Sequence, residues 1–493
     1  MKALTFGTQV AEEETNDLAG YFVETDQWQR IAEGKIDFVR GEKGAGKSAI
    51  YSLLMAKADE FFDRGILLVA GENPRGQTVF RDLGSEPPTS EVEFIALWKL
   101  YLATIIAQRL REFSIKNAHA NVAYKALEDA KLLEREFTLK GVLRRAQDYA
   151  KRIIQAEAIE GGIELDPATQ MPSGVIGRIV LKEPTSDLRT AGFISADTLL
   201  AELDKAVAEA GFGIWVLLDR LDVAFTENHQ LEANALRALI RVYADIRSLD
   251  HISLKIFLRE DIWKRITVGG FREATHIVKV VVLDWTEPAL LNLIMRRLLS
   301  NQILLSEFGI DRIDVLQDSR KQDALFARLF PPQVDQGARK LTTFKWVIGR
   351  CRDGTGKTAP REVIYLLNCV RDEEIKRLEQ GGLAPSDDQL FDRSVFKLAL
   401  PTVSNYRLQQ YLYAEYPSER PYLEKLAGEK AEQTPAALSA IWKTDERTAI
   451  ERATGLVEVG FFEKRGTRDE PTFWVPFLYR DALGLIQGKA DDD

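Results

Sequence analysis

The sequence predicts an α/β fold: a core built on a parallel sheet, with a helical insertion, a helical lid and a C-terminal winged-helix domain. Three observations lead there. The runs Ile214-Trp-Val-Leu-Leu218, Leu254-Lys-Ile-Phe-Leu258 and Val278-Lys-Val-Val-Val-Leu283 have strand length and are nearly unbroken in hydrophobicity, as strands covered on both faces must be. They alternate with segments of helical periodicity, the pattern of a sheet wrapped by helices. A glycine-rich turn separates the first apolar run from the first helical one.

Taken in order, Ile36-Asp-Phe-Val-Arg40 reads as a strand and Ser48–Lys57 as a helix, with Ile50, Leu53, Leu54 and Lys57 at helical spacing. Gly65-Ile-Leu-Leu-Val-Ala70 reads as a second buried strand. From about Glu91 to Glu160 the pattern is helical and heavily charged, with Leu97, Leu100, Tyr101 and Ile105 in one stripe. Gly161 to Glu183 mixes Gly, Pro and short β-branched runs, which suggests a hairpin or an irregular loop. Ser195 caps a helix that runs through Ala210 and stops at Gly211-Phe-Gly213. The three strand runs follow, and beyond Trp285 the pattern is helical to about Glu379, with a linker over Gly381–Asp388. Pro435–Ile441 and Asp445–Leu456 then form two helices joined by a short turn. Gly460–Lys464 and Thr472–Val475 form a hairpin, and helix, turn, helix and hairpin make a winged helix. The expected domains are residues 1–285 (85–194 being mainly helical insertion), 286–400 for the lid and 401–493 for the winged helix.

Composition narrows the function. Of 493 residues, 45% are hydrophobic and 29% charged, the balance of an ordinary globular chain rather than a disordered one. Lys plus Arg number 66 against 75 Asp plus Glu, a formal charge of −9, which argues against a protein coated in nucleic acid along its length. Two cysteines, Cys351 and Cys369, make no disulfide framework, and four scattered histidines make a His/Cys metal site improbable. The N-terminal residues lack an apolar leader core, and nowhere do 18 uncharged apolar residues run together. A cytoplasmic protein with no membrane partner is expected.

Gly41-Glu-Lys-Gly-Ala-Gly-Lys47-Ser48 matches the Walker A pattern in full. Glycines let backbone N–H groups curl around phosphate oxygens, and a helix N-terminus adds positive potential. The expected nucleotide-binding residues are Gly41, Lys43, Gly44, Ala45, Gly46, Lys47, Ser48 and Ala49. Lys47 bridges the β and γ phosphates, and Ser48 ligates Mg²⁺. Asp219 closes an apolar strand, as a Walker B carboxylate holding Mg²⁺ does. The next residue is Arg220 where many ATPases carry the Glu that polarises water, so Asp222 is the candidate to orient or deprotonate the attacking water. A second Gly356-Lys357-Thr358 has Cys351 where the motif needs glycine, and reads as a loop. No Asn-Lys-x-Asp guanine-reading motif occurs, which favours ATP over GTP.

Arg259 directly follows the strand run Leu254–Leu258, at the edge where parallel sheets bind ligands, and could contact the γ-phosphate or simply pair with Glu260 or Asp261. Arg361 stands one residue into a helix that begins at Pro360. The helix dipole disfavours a cation there, which gives a phosphate-facing role more weight. Arg272 is a weaker candidate for an arginine finger reaching a neighbouring subunit.

The series Gly41–Ser48, Asp219-Arg-Leu-Asp222, Leu258-Arg259 and Pro360-Arg361 resembles STAND-type or origin-recognition-like members of the AAA+ ATPases. Val282-Leu-Asp-Trp-Thr-Glu-Pro-Ala-Leu-Leu followed by Arg296-Arg-Leu298 is similar to their join between core and lid. Among relatives the chain looks closest to bacterial P-loop ATPases of anti-phage defence islands. The resemblance implies an ATP- and Mg²⁺-dependent switch that hydrolyses ATP slowly and oligomerises or engages a separate effector protein. Arg220 and the long insertion depart from the common pattern. Two alternatives stand beside the switch: a DNA-binding or DNA-remodelling ATPase, and a scaffold that binds ATP without turnover. Thr444–Gly460 carries Asp445, Glu446, Glu451 and Glu458 against Arg447 and Arg452, which supplies little phosphate neutralisation for DNA. The basic group Arg144, Arg145, Lys151 and Arg152 reads as a solvated helix face or an effector-docking surface.

Overall fold

The computed structural model describes residues 1–2, 4–8, 22–72, 88, 90–134, 137–157, 178–221, 229–267, 270–385, 388–467 and 470–490. The chain divides into two units, Asp26–Gly41 with Lys47–Leu283, and Met1–Thr25 with Glu42–Gly46 and Asp284–Asp493.

The first unit is organised by a five-stranded sheet. Its strands are β1 (Phe38–Gly41), β2 (Ile66–Ala70), β5 (Gly213–Leu218), β6 (Ile252–Arg259) and β7 (Val280–Val282), in the order β2-β5-β6-β1-β7. Every neighbouring pair is parallel, so all five strands end at the same edge. The expected α/β class with a parallel core is therefore what the structure has. Two short strands outside this sheet, β3 (Ile179–Val180) and β4 (Ile194–Ser195), pair in parallel. The described end of the Gly161–Glu183 segment thus makes no hairpin: Ile179 and Val180 find their partner beyond the intervening helix Ser186–Thr190.

The helix Glu91–Glu112 differs from its sequence reading. A single apolar stripe was the expectation, yet every residue from Ala96 to Ala107 is buried. The physical reason is company on all sides: it packs against the helices Leu139–Glu157, His229–Ile246 and Ala196–Glu209, and a helix so surrounded has no solvent face. The polar groups it carries inward are matched. The Trp98 indole donates to the Ala235 carbonyl at 2.9 Å, and the Lys99 ammonium pairs with Asp197 and Asp245.

Within the sheet, Lys255 of β6 is buried among oxygens. Its ammonium donates to Asp37 Oδ1 and the Ile36 carbonyl, both at 2.8 Å, and stands 4.4 Å from the Trp215 ring centroid. Tyr243 donates to the other Asp37 oxygen at 2.9 Å. Burial pushes the Lys255 ammonium pKa down and the Asp37 carboxylate pulls it back up. Removing one member of a buried pair leaves the other charged and unmatched.

The second unit is largely helical between Glu287 and Arg407 and ends in a small sheet. Leu4 and Phe6 pack into its apolar core, where the Arg297 guanidinium donates to the Phe6 carbonyl at 2.6 Å. Helices Pro435–Trp442 and Glu446–Glu458 precede the antiparallel pair β9 (Glu463–Gly466) and β10 (Pro471–Trp474). The strands β8 (Lys430–Gln433) and β11 (Ile486–Lys489) complete a sheet ordered β11-β8-β10-β9. Among the described residues no helix is long and apolar enough to cross a membrane.

Replacing Lys255 with Met should cost about 3 kcal/mol, because buried Asp37 loses its close cation and keeps only the half-exposed Lys279 at 3.9 Å. Denaturant unfolding followed by circular dichroism checks this, and Lys255→Met with Asp37→Leu should recover part of the loss.

Candidate functional site

β1 delivers the chain at Gly41 into a loop that ends where the helix Lys47–Ala56 begins. Gly44 (φ +86°) and Gly46 (φ +99°) lie in the left-handed region, which glycine enters without the steric cost a β-carbon brings. The first-turn amides of Lys47, Ser48 and Ala49 have no partner within the helix. Such a turn leading into a helix N-terminus binds anions readily. Lys47 is buried and donates to the Gly41 carbonyl at 2.9 Å.

Two carboxylates end strands of the same sheet. Asp219 follows β5 directly and is buried. Glu72 lies two residues beyond β2 and is completely buried. Tyr51, one turn into the helix after the loop, donates from its hydroxyl to the Glu72 carbonyl at 2.7 Å. Burial raises the Tyr51 pKa far above the usual phenol range, and the negative charges of Asp219 and Glu72 raise it further. Arg220 takes a φ of +55°, uncommon for a residue with a side chain.

In the other unit, the loop segment Glu42–Gly46 is gripped at four points. The Trp285 indole donates to the Ala45 carbonyl at 2.8 Å. Lys357 pairs with Glu42 at 3.1 Å. Lys43 pairs with Glu415 and stands 5.6 Å from the Tyr411 ring centroid. A β-carbon built on Gly44 would lie 3.1 Å from the Arg361 β-carbon, so Arg361 covers the loop at its tightest bend. The Arg361 Nε is buried without a hydrogen-bond partner among the described residues, an arrangement that a phosphate oxygen would satisfy.

The remaining sequence candidates fall as follows. Arg259 is the last residue of β6, and Asp261 holds its guanidinium through Nε at 3.0 Å and Nη2 at 2.8 Å. Asp222 lies outside the described residues. Arg272 is exposed in a 3-10 turn, Arg272–His276. Gly356-Lys357-Thr358 occupies the loop between the helices Thr343–Arg350 and Pro360–Glu379. Arg145 of the basic group pairs with Glu134. No cluster of three His, Cys, Asp or Glu able to hold a metal occurs among the described residues. Ser48 and Asp219 nonetheless suit Mg²⁺ at a triphosphate, because that ion takes one or two protein oxygens and completes its shell with phosphate and water.

Sequence reasoning missed Glu72, Tyr51 and the Trp285 hydrogen bond. The rule that marked Asp219, a polar residue just past a buried strand, applies equally to Glu72, which follows Ala70-Gly71. Nothing in the sequence pairs Trp285 with Ala45 across 240 positions.

No family model matches the chain, and no curated protein matches it. Among solved structures it is similar to the Walker-type ATPase PABY2304 of Pyrococcus abyssi, at 10% identity and a TM-score of 0.40, over 93% of this chain and 95% of that one. It is also similar to the Aeropyrum pernix ORC2 protein in its ADPNP-ADP complexes, at 10% identity and a TM-score of 0.30, over 94% of this chain and 88% of that one.

Gly44→Ala should destabilise the protein by about 1–2 kcal/mol, since a left-handed φ and the crowding of Arg361 act together. Trp285→Phe should cost about 1 kcal/mol by orphaning the Ala45 carbonyl. Thermal melts check both.

Proposed function

We propose that the protein binds and hydrolyses ATP with Mg²⁺ and uses the bound nucleotide as a conformational switch. The observation that carries this reading is the glycine loop between β1 and a helix that opens with buried Lys47 and with Ser48, while Asp219 closes a strand of the same sheet. Lys47 supplies a point charge to the β and γ phosphates, and the loop amides hold the remaining phosphate oxygens. Ser48 and Asp219 hold the metal, which when bound neutralises charge developing on the phosphates. Within its own unit Arg361 packs on Gly44, so a phosphate held by the loop meets its Nε, which has no hydrogen-bond partner among the described residues, and its helix Pro360–Glu379 responds with it.

The switch acts by oligomerisation or by engaging a separate effector protein, and the sequence resemblance to ATPases of defence islands is the support for a role in bacterial anti-phage defence. Support for a switch comes from the Lys43–Glu415 and Glu42–Lys357 pairs, which tie the loop to helical and C-terminal segments of its own unit. A change at the phosphates is thereby transmitted through direct contacts. A second reading, a DNA-binding ATPase of origin-recognition type, draws on the two helices and hairpin at the C-terminus, which we read as a winged helix. Arg350, Arg465 and Arg480 gather there on Trp474 and Phe477. Glu463 pairs with Arg465, and Asp481 lies close enough to act on Arg350 and Arg480, so little net positive charge is left for phosphate.

Lys47→Ala should abolish ATP binding in a fluorescence titration, and unchanged affinity would refute the site. Arg361→Ala should bind ADP as before while its preference for ATP over ADP falls by roughly tenfold, about 1.4 kcal/mol. Duplex affinity that falls steeply between low and physiological salt would favour the second reading.

A further inference from the structure

We propose that Glu72, at the end of the strand beside the one carrying Asp219, is the catalytic carboxylate that accepts the proton of the attacking water; this rests on the ATPase reading above.

The sheet register carries the placement. β2 and β5 pair from Ile66–Gly213 to Ala70–Leu217, and the Gly71 amide continues the ladder by donating to the Leu217 carbonyl at 2.9 Å. Counting two residues past Ala70 and Leu217 brings Glu72 level with Asp219. The approach is close because residue 71 is glycine. A β-carbon there would meet Leu218 Cδ2 at 2.5 Å and the Leu217 carbonyl oxygen at 3.0 Å.

Two buried phenols then fix the strand end. Tyr101 donates to the Gly71 carbonyl at 2.8 Å and Tyr51 to the Glu72 carbonyl at 2.7 Å. Tyr51 lies three residues after Ser48, on the helix that opens at the phosphate loop. Glu72 is thus held beside that helix and beside the metal-binding carboxylate, out of bulk water. Burial raises the pKa of Tyr51 and Tyr101, and the Glu72 charge raises both further.

The residue that follows Asp219 does not serve. Arg220 has no acceptor for a proton. In the proposed step the water oxygen forms a bond to the γ-phosphorus while the bond from that phosphorus to the β–γ bridging oxygen breaks. The electron pair leaves with ADP, and the water proton passes to the Glu72 carboxylate, which later releases it to solvent. The products are ADP, inorganic phosphate and one proton.

The test uses the full chain with Mg²⁺ and γ-labelled ATP in single-turnover phosphate release, beside nucleotide titration and thermal melting. Glu72→Gln should keep ATP affinity within about threefold and melt as wild type does. Its phosphate release should fall at least about 100-fold, the usual range for losing a general base. Glu72→Asp should release phosphate at a rate between those of wild type and Glu72→Gln. Release by Glu72→Gln at the wild-type rate would overturn the assignment while leaving the ATPase reading intact, and so would a loss confined to Asp222→Asn. A Glu72→Gln that loses affinity, melting temperature and rate together, with Glu72→Asp doing the same, would make the residue structural and also overturn it. Wild type that binds ATP and releases no phosphate would defeat the ATPase reading itself, and this inference with it.

Discussion

The hydrogen-bond register of five parallel strands is the constraint on which the first unit depends. Because neighbours are parallel, their carboxyl ends share one edge, and residues far apart in sequence arrive there at set heights. Gly41 pairs with Arg259 across β1 and β6, and Leu218 pairs with Ile256 across β5 and β6. A slip of one residue between β2 and β5 would set Glu72 and Asp219 on opposite faces. The register is supported by largely apolar, largely buried strands and by the buried Lys255 of β6 with Asp37 and Tyr243.

The glycine loop has a second constraint of a different kind. Its glycines permit a backbone that other residues would enter at a cost, but they do not fix it. What holds Glu42–Gly46 is side chains from its own unit: the Trp285 indole on a carbonyl, Lys357 on Glu42, Glu415 on Lys43 and the Arg361 stem over Gly44. Lys357 shows how a misleading motif can still take part. The sequence around it imitates a phosphate loop, yet it sits between two helices and serves as an ion-pair partner.

Charge is used differently in the two places. Near the strand ends, carboxylates are buried beside phenols whose protons are held tightly, which suits chemistry that needs a carboxylate shielded from water. In the C-terminal segment, arginines stack on aromatic faces, and burial together with the neighbouring cations brings the Arg480 pKa down to about 10. Stacked guanidinium groups with acidic neighbours hold that segment together more readily than they attract a polyanion.

Much of the fold was legible in the sequence because its signals are local. Unbroken apolar runs, the Ser195 cap, the Gly211 stop and the glycine loop each follow from a few adjacent residues, and the structure has strands or helices at each. Lys47, Ser48 and Asp219 could be named for the same reason: each sits directly after a strand or opens a helix. What the sequence could not decide was adjacency. That β5 neighbours β2, and so sets Glu72 level with Asp219, depends on strand order, which no local pattern encodes. That the helix Glu91–Glu112 is enclosed depends on three partners distant in the chain, so its charged surroundings concealed a buried helix. Arg259 and Arg361 looked alike in sequence, each at the end of an element. Asp261, two residues on and already a candidate partner in the sequence, closes around the Arg259 guanidinium, whereas only tertiary packing sets Arg361 over a glycine bend with its Nε buried and unpartnered among the described residues.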